Sequence, residues 1–222
     1  MKQKIVALVP MRHDSERVKQ KNYREFNGKP LFYWILNTLC QCQSIDSVYI
    51  NTDSPVIKEN APKIDTKINI IDRPQNLRAG EIPMNDILLY DMTKVEADFY
   101  LQTHSTNPLL KAETVEKAIQ TFLAAKGKDS LFGVTRIQAR LWTKDAKAIN
   151  HDPKVLLRTQ DLEPVFEENS NIYIFTKKNL IERKNRIGKN PVLFEIPRQE
   201  AWDIDTESDF MIAELLHRIY FK

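Results

Sequence analysis

Two stretches of this chain concentrate the side chains that could do chemistry, and they lie near its opposite ends. Residues 11–22 read MRHDSERVKQKN, with Arg12, Arg17, Lys19 and Lys21 directly after the apolar run KIVALVP and no glycine among them. Residues 201–210 read AWDIDTESDF and place Asp203 and Asp205 two apart around an isoleucine. In extended backbone, side chains i and i+2 point to the same side. Two carboxylates so placed suit Mg²⁺, a hard cation that takes oxygen ligands and completes its octahedron with water and phosphate oxygens. Each stretch also has a plainer reading. A run of cations is often a solvated face. Asp205 or Thr206 could cap a following helix, with Glu207 in its first turn complementing the helix dipole. Capping by Thr206 is compatible with ligation by both aspartates.

Short apolar strands alternate with amphipathic helical stretches ahead of and between these segments. KIVALVP, SVYINTD, INIIDRP, DFYLQTH and SLFGVTRI read as strands. PLFYWILNTLCQC, SPVIKENAP, PMNDILLYDMTKVEA and ETVEKAIQTFLAA read as the helices between them, with Ser54 as an N-cap and Pro83 in a first turn. This order predicts an α/β fold: a mostly parallel, Rossmann-like sheet with helices on both faces. Buried parallel strands should be continuously apolar, and KIVALVP and INII are. Residues 138–170 are charged and aperiodic, followed by strands at NIYIF and VLFEIP and a helix over ESDFMIAELLHRIYF. No linker divides the chain. Residues 1–222 are expected to form one domain, with 138–170 and 181–197 as insertion or dimerisation segments.

In open α/β sheets, ligands bind outside the carboxyl ends of the strands. That places Arg12 to Asn22, Asp53, Arg73 and the segment His104 to Pro108 on one rim. Arg12, Arg17, Lys21 and Arg73 together suit an anion of several charges. Neither G-x-x-x-x-G-K-[ST] nor G-x-G-x-x-G occurs, so side-chain cations must do work that backbone amides do in P-loop and dinucleotide-binding proteins. His104 by itself reads more readily as a strand-end histidine than as a catalyst. In RTQDLEPVFEENSNIYIF, the residues Arg158, Gln160, Glu168, Asn169 and Asn171 could line a pocket for a polar molecule or form a solvated loop. His151 and His217 read as surface or helix residues, and Trp142, Trp202, Phe166 and Tyr173 as packing.

The bulk composition narrows the class. The chain has 222 residues, 42% hydrophobic and 28% charged, with 33 basic and 30 acidic residues giving a net charge of +3. So small a balance does not suggest nucleic-acid binding. No apolar run reaches a transmembrane length, and the amino terminus lacks a signal h-region. Cys40 and Cys42 sit too close to pair easily and have no second pair for zinc, which suggests free thiols in a reducing cytoplasm.

The ordered set of motifs resembles the acylneuraminate cytidylyltransferase family. PMRHDSERVKQKNYREFNGKPLFYWIL is similar to that family's opening signature, PARGGSKRxPxKNxxxxxGKPLxxxxI. INTDS resembles its STD segment, RPQNLRAGEIPMNDIL its RPxxLAxDxxxxxDVL segment, and LQTHSTNPL its LLQPTSPLR segment. RTQDLEPVFEENSNIYIF resembles RRQDLPPVYxxNGAIYIF, and WDIDTESDF the DIDTxxDF close. The resemblance runs from about residue 4 to 215. It implies a Mg²⁺-dependent enzyme that joins CTP to an acidic 2-keto-3-deoxy sugar, giving a CMP-sugar and pyrophosphate, and usually a homodimer. By the same resemblance Arg12, Ser15, Lys21, Asn22 and Arg73 bind nucleotide, with Arg12 and Lys21 on the triphosphate. Asp203 and Asp205 bind metal, and Lys21, Arg12 and Asp205 are catalytic. His104, Thr106, Asn107, Arg158, Gln160 and Asn169 form the sugar side. Lys19 has no matching position and is expected to be solvated.

Departures from the pattern point to the substrate. The family's Gly-Gly is His13-Asp14 here, which weakens the expectation that loop amides donate to phosphates. Matched position by position, the Gln of QPTSPLR falls on His104, a Ser on Asn107 and the Arg on Leu110. NGAIYIF becomes NSNIYIF, adding Ser170 and Asn171. These changes imply a nonulosonic acid other than the commonest sialic acid. Rival readings are a 3-deoxy-manno-octulosonate cytidylyltransferase, disfavoured by the RQDLxPVF-like and DIDTE segments, and a non-catalytic nucleotide-binding relative, disfavoured by Lys21, Asp203 and Asp205.

Overall fold

Strand β1 (Ile5–Leu8) is buried along its whole length and has neighbours on both edges. Ile5 and Ala7 pack into one apolar cluster, Val6 and Leu8 into another on the opposite face. That two-sided burial is why the run is apolar without alternation. The computed structural model describes residues 3–221; Met1 and Lys2, which begin the stretch read for targeting signals, and Lys222 lie outside the described residues.

The sheet has seven strands. The others are β4 (Ser47–Thr52), β5 (Ile68–Asp72), β6 (Phe99–Gln102), β7 (Ser130–Ile137), β8 (Val165–Phe175) and β9 (Pro191–Glu195), in the spatial order β5-β4-β1-β6-β8-β7-β9. All pairings are parallel except those of β8, which runs antiparallel to both β6 and β7. The predicted α/β sheet is therefore the observed one. The chain moves outward from β1 to β4 and β5, then returns to β6 on the other side. The switch between β1 and β6 opens a crevice at their carboxyl ends.

Helix α1 (Leu31–Gln41) buries Leu31, Phe32, Ile35, Leu36 and Leu39, a one-sided 3.6-residue pattern. Helices α2 (Pro55–Asn60), α3 (Met84–Asp91), α4 (Ala112–Ala124) and α5 (Lys177–Arg183) follow. Ser54 caps α2, its hydroxyl accepting from the Ile57 amide at 3.4 Å. Helix α6 (Glu207–Tyr220) turns Phe210, Ala213 and His217 inward. Phe210 and Ala213 share a third apolar cluster with Val18, Phe26, Leu31 and Ile204. Val18 thus anchors the basic loop, and Ile204 anchors the acidic segment, in the same small core.

Several local readings are corrected. Asn27 and Gly28, both with positive φ, turn a small hairpin of β2 (Glu25–Phe26) and β3 (Lys29–Pro30) that the sequence reading missed. The α5 helix was missed too; it is short, and its Thr176 cap accepts from the Asn179 amide at 3.2 Å. Helix α3 ends at Asp91 rather than running to Ala97, and Pro83 precedes it as the capping residue. There the Thr93 hydroxyl takes the Tyr90 carbonyl, competing with continued helix. Within 138–170, residues 165–170 belong to β8, so the irregular excursion is 138–164, and residues 191–195 of the second segment are the sheet's edge strand. His217, read as a surface or helix residue, lies in α6 on its buried face, its ring 4.0 Å from that of Trp34. Cys40 and Cys42 are free, and burial pushes both thiols up to about 12.

Candidate active site

A cavity of about 930 Å³ opens at the carboxyl ends of β1 and β6. Its walls bring together Arg12, Ser15, Lys21, Asn22, Arg73, His104, Thr106, Asp203 and Asp205, nine residues named from sequence alone.

The loop after β1 supplies the first wall. Asn22 is buried and closes the loop on itself: its amide donates to the Arg12 carbonyl at 2.7 Å and its oxygen accepts from the Ser105 hydroxyl at 2.6 Å. Gln20, at φ 57, takes the left-handed backbone that turns the chain into Lys21. His13 does not aim at the cavity. Its amide donates to Asp53 at 2.7 Å, its Nδ1 meets Ser54 Oγ at 2.9 Å, and its ring stacks on Tyr23. The His13-Asp14 departure is therefore a buttress: the His13 amide is already engaged by Asp53. Lys19 is exposed, as expected.

Arg12 extends toward Gly80 and pairs with Glu16 at 3.2 Å. A Cβ at Gly80 would stand 2.6 Å from Arg12 Nη1, so a larger residue there would displace the end of this side chain. Arg73 is buried at the end of β5. Its Nε donates to Asn51 Oδ1 at 2.6 Å and its Nη2 to the Asn51 carbonyl at 2.9 Å. Asn51 in turn donates to Asp91 at 2.5 Å. Burial pushes the Asp91 carboxyl up to about 7, against the pull of Asn51 and Arg73.

The acidic wall comes from residues 203–205. The Ile204 amide donates to the Thr106 carbonyl at 3.0 Å and its side chain is fully buried, so Asp203 and Asp205 both turn to the cavity. This is the i, i+2 geometry predicted. Burial raises the Asp203 carboxyl, opposed by a Thr106 hydrogen bond and reinforced by the charge of Asp205. Lys21 bridges the walls, donating to the Ile204 carbonyl at 2.6 Å and lying 4.0 Å from Asp205. Burial lowers its ammonium, while Asp203 and Asp205 raise it. Arg17 pairs with Asp205 at 2.7 Å. Helix capping falls to Thr206, in a reciprocal box with Asp209, which leaves both aspartates free of that task.

The third wall holds His104. Gln102 accepts from Arg186 Nη1 at 2.6 Å, so its amide nitrogen is the group 3.0 Å from His104 Nε2. That nitrogen can only donate, so His104 Nε2 accepts and the ring is neutral. Burial, with the charges of Arg186 and Lys21, holds the imidazole down to about 3.

Not every predicted residue meets the cavity. Asn107 lies buried behind it, its amide 3.5 Å from Asp203. Asn169 lines an adjoining hollow of about 330 Å³ that shares Ser170 and Asp203 with the main cavity, its amide on Thr135 Oγ1 at 3.0 Å. Arg158 and Gln160 do not line the cavity either. They sit on an exposed turn, where Arg158 forks onto Asp161 at 2.7 and 3.1 Å, away from the cavity of their own chain. Sequence reading missed Gly80, Gln102 and Arg186. Gln102 sat within a quoted motif, but Arg186 carries no local signal.

Such a sheet, with cations and a carboxylate pair meeting at its switch-point cavity and no glycine-rich phosphate loop, is that of a nucleotidyltransferase. The chain belongs to the cytidylyltransferase family, whose sequence profile matches residues 6–217. It is 28% identical over 227 residues to the CMP-N,N′-diacetyllegionaminic acid synthase of Legionella pneumophila, covering 96% of each chain. It is 25% identical over 229 residues to the pseudaminic acid cytidylyltransferase of Campylobacter jejuni, covering 97% of each. In fold it is similar to CMP:2-keto-3-deoxy-manno-octonic acid synthetase solved with CTP, with a TM-score of 0.70 at 19% identity, covering 97% of this chain and 99% of that one.

Proposed function

We propose that this cytidylyltransferase joins CTP to a nonulosonic acid, releasing pyrophosphate. The observation that carries the reading is the meeting of Arg12, Lys21 and Arg73 with the Asp203–Asp205 pair in one cavity. The names of the Legionella and Campylobacter relatives support the sugar class.

In this reading the anomeric hydroxyl of the sugar attacks the α-phosphorus of CTP. A new P–O bond forms as the hydroxyl gives up its proton to water, the bond to the α,β-bridging oxygen breaks, and pyrophosphate leaves with the electron pair. Such transfers depend on positioning and on neutralising oxygens. Arg12 and Arg73 hold the triphosphate, and Lys21 meets charge developing on the phosphates as the bond breaks. Asn22 keeps the loop closed on Arg12. The donor set fits Mg²⁺: two neighbouring carboxylates supply hard oxygens, the charge of Asp205 works against that of Asp203, and the cavity leaves room for phosphate and water. Asp203 and Asp205 would hold that ion, which when bound supplies Lewis-acid polarisation of phosphate and hydroxyl oxygens.

Exposed apolar side chains on the 138–164 excursion, Leu156 at 90% among them, support a homodimer formed there. Light scattering after gel filtration checks it; a monomer at all concentrations refutes it. Among the described residues no helix is long and apolar enough to cross a membrane. Free thiols favour a cytoplasmic enzyme.

The deciding experiment is CTP-dependent pyrophosphate release with pseudaminic, N,N′-diacetyllegionaminic, N-acetylneuraminic and 3-deoxy-manno-octulosonic acids, with Mg²⁺ and with chelator. Turnover of a nonulosonic acid only with Mg²⁺ is expected. Preference for the octulosonate, or no turnover of any acid, overturns the reading.

A further inference from the structure

Arg186 stands on the loop between α5 and β9, outside every motif read from the sequence. That loop is anchored at several points. Asn85 donates to the Lys184 carbonyl at 2.8 Å, and the Gly188 amide donates to Ser130 Oγ at 2.8 Å. The amides of Lys189 and Asn190 both donate to the Asp129 carboxylate. From this base the Arg186 guanidinium reaches the cavity wall beside His104 and Ser170. Nη1 donates to Gln102 Oε1 at 2.6 Å, and Cζ lies 3.7 Å from the Tyr173 ring centroid.

These contacts fix the guanidinium without neutralising it. Gln102 is an amide, and the Tyr173 hydroxyl is turned to Glu168, to which it donates. His104, on the far side of Gln102, is neutral and contributes no charge. The carboxylate whose charge acts on Arg186, Glu168, accepts from the Tyr173 hydroxyl and makes no ion pair with the guanidinium among the described residues, so the cation that faces the cavity is a site for an anion. The triphosphate already has Arg12, Lys21 and Arg73 on the other walls. The remaining formal charge on the two substrates is the carboxylate of the sugar. A guanidinium presents a planar fork that matches a carboxylate through two parallel hydrogen bonds.

We propose that Arg186, held by Gln102 and Tyr173, grips the carboxylate of the acidic sugar through the guanidinium edge that Gln102 leaves free. The inference rests on the proposed function and adds the residue that reads the acid group. Ser170 and His104 then flank the sugar with neutral polar atoms suited to its hydroxyl or amide substituents. Ser170 holds a left-handed backbone, φ 58, which puts its hydroxyl 3.3 Å from that of Tyr173.

The test uses the full chain with CTP, Mg²⁺ and whichever of the four sugar acids the wild type turns over best. Arg186→Gln should lower kcat/KM for the sugar about 10- to 100-fold, the scale of charge-assisted hydrogen bonds, with KM for CTP within about twofold of wild type. Arg186→Lys should recover only part of the loss, because an ammonium lacks the fork. The carboxamide of the same sugar should be a poor substrate for the wild type and no worse for Arg186→Gln. A melting temperature near wild type shows that each variant is folded. An unchanged kcat/KM for the sugar in Arg186→Gln overturns the assignment while the proposed function stands. A rise in KM for CTP alone also overturns it, by moving Arg186 to the triphosphate. No turnover of any acid by the wild type removes both.

Discussion

The Lys21 ammonium donates to the Ile204 carbonyl at 2.6 Å, across 183 residues of chain. This one bond joins the basic loop after β1 to the acidic segment before α6 and holds the cation 4.0 Å from Asp205. Lys21→Ala should therefore lower turnover about a hundredfold or more, as should Asp205→Ala, on the scale of roughly 3–4 kcal/mol seen when a group stabilising transition-state charge is deleted. Pyrophosphate release assays on variants with wild-type melting curves check this. Near wild-type release in either variant removes that residue from the chemistry.

Thr206 stands next to Asp205 but serves the helix. Its hydroxyl accepts from the Asp209 amide at 3.2 Å, and Asp209 accepts from the Thr206 amide at 2.8 Å. Thr206→Ala should cost about 1 kcal/mol of stability, the usual worth of an N-cap, with kcat within about twofold of wild type. Denaturant titration and steady-state kinetics on the same preparation separate the two effects. A hundredfold loss of kcat would show that capping and catalysis are one function here.

Gly80→Ala places a methyl group where Arg12 Nη1 and Glu16 Oε1 now lie, at 2.6 and 2.5 Å. Both atoms end flexible side chains, so the fold yields by moving Arg12 rather than by unfolding. The expected result is a KM for CTP raised about tenfold, the equivalent of one hydrogen bond to a charged group, with little change in melting temperature. Isothermal titration with CTP measures the same loss without turnover. Unaltered CTP affinity would mean that Arg12 does not hold the triphosphate.

Asp91 gives stability a pH dependence of known sign. Its carboxyl is raised from 3.8 to about 7 by burial, so between these values the native state holds a proton that the unfolded state has lost. Stability from this group is complete below about pH 4 and declines as pH rises toward 7, by at most about 1.4 kcal/mol per pH unit. The groups facing it are Asn51, which donates to it, and Arg73, whose charge opposes the shift. Asp91→Asn should flatten the difference in unfolding free energy across pH 4–7. Parallel wild-type and variant curves over that range would show that Asp91 stays ionised in the folded protein.

What local sequence determined is clear from particular residues. The uninterrupted apolar run Ile5–Leu8 required burial on both faces, and the i, i+2 spacing of Asp203 and Asp205 around Ile204 required both carboxylates to share a side. Strand order along the chain was enough to place Arg12, Lys21, Arg73 and His104 on one rim, because parallel strands deliver their following loops to the same end. What only the tertiary structure decided concerns partners distant in sequence. His13 turned to Asp53 and Ser54, Arg158 stayed on the surface with Asp161, and Arg186 reached Gln102 from a loop with no signature. Periodicity and spacing report which face of an element is buried. Which loops converge depends on the crossing order of strands in the sheet and on side-chain packing between elements. Those contacts are set by the folded chain as a whole, so the cations and carboxylates of the cavity were legible as residue types and became specific only as neighbours.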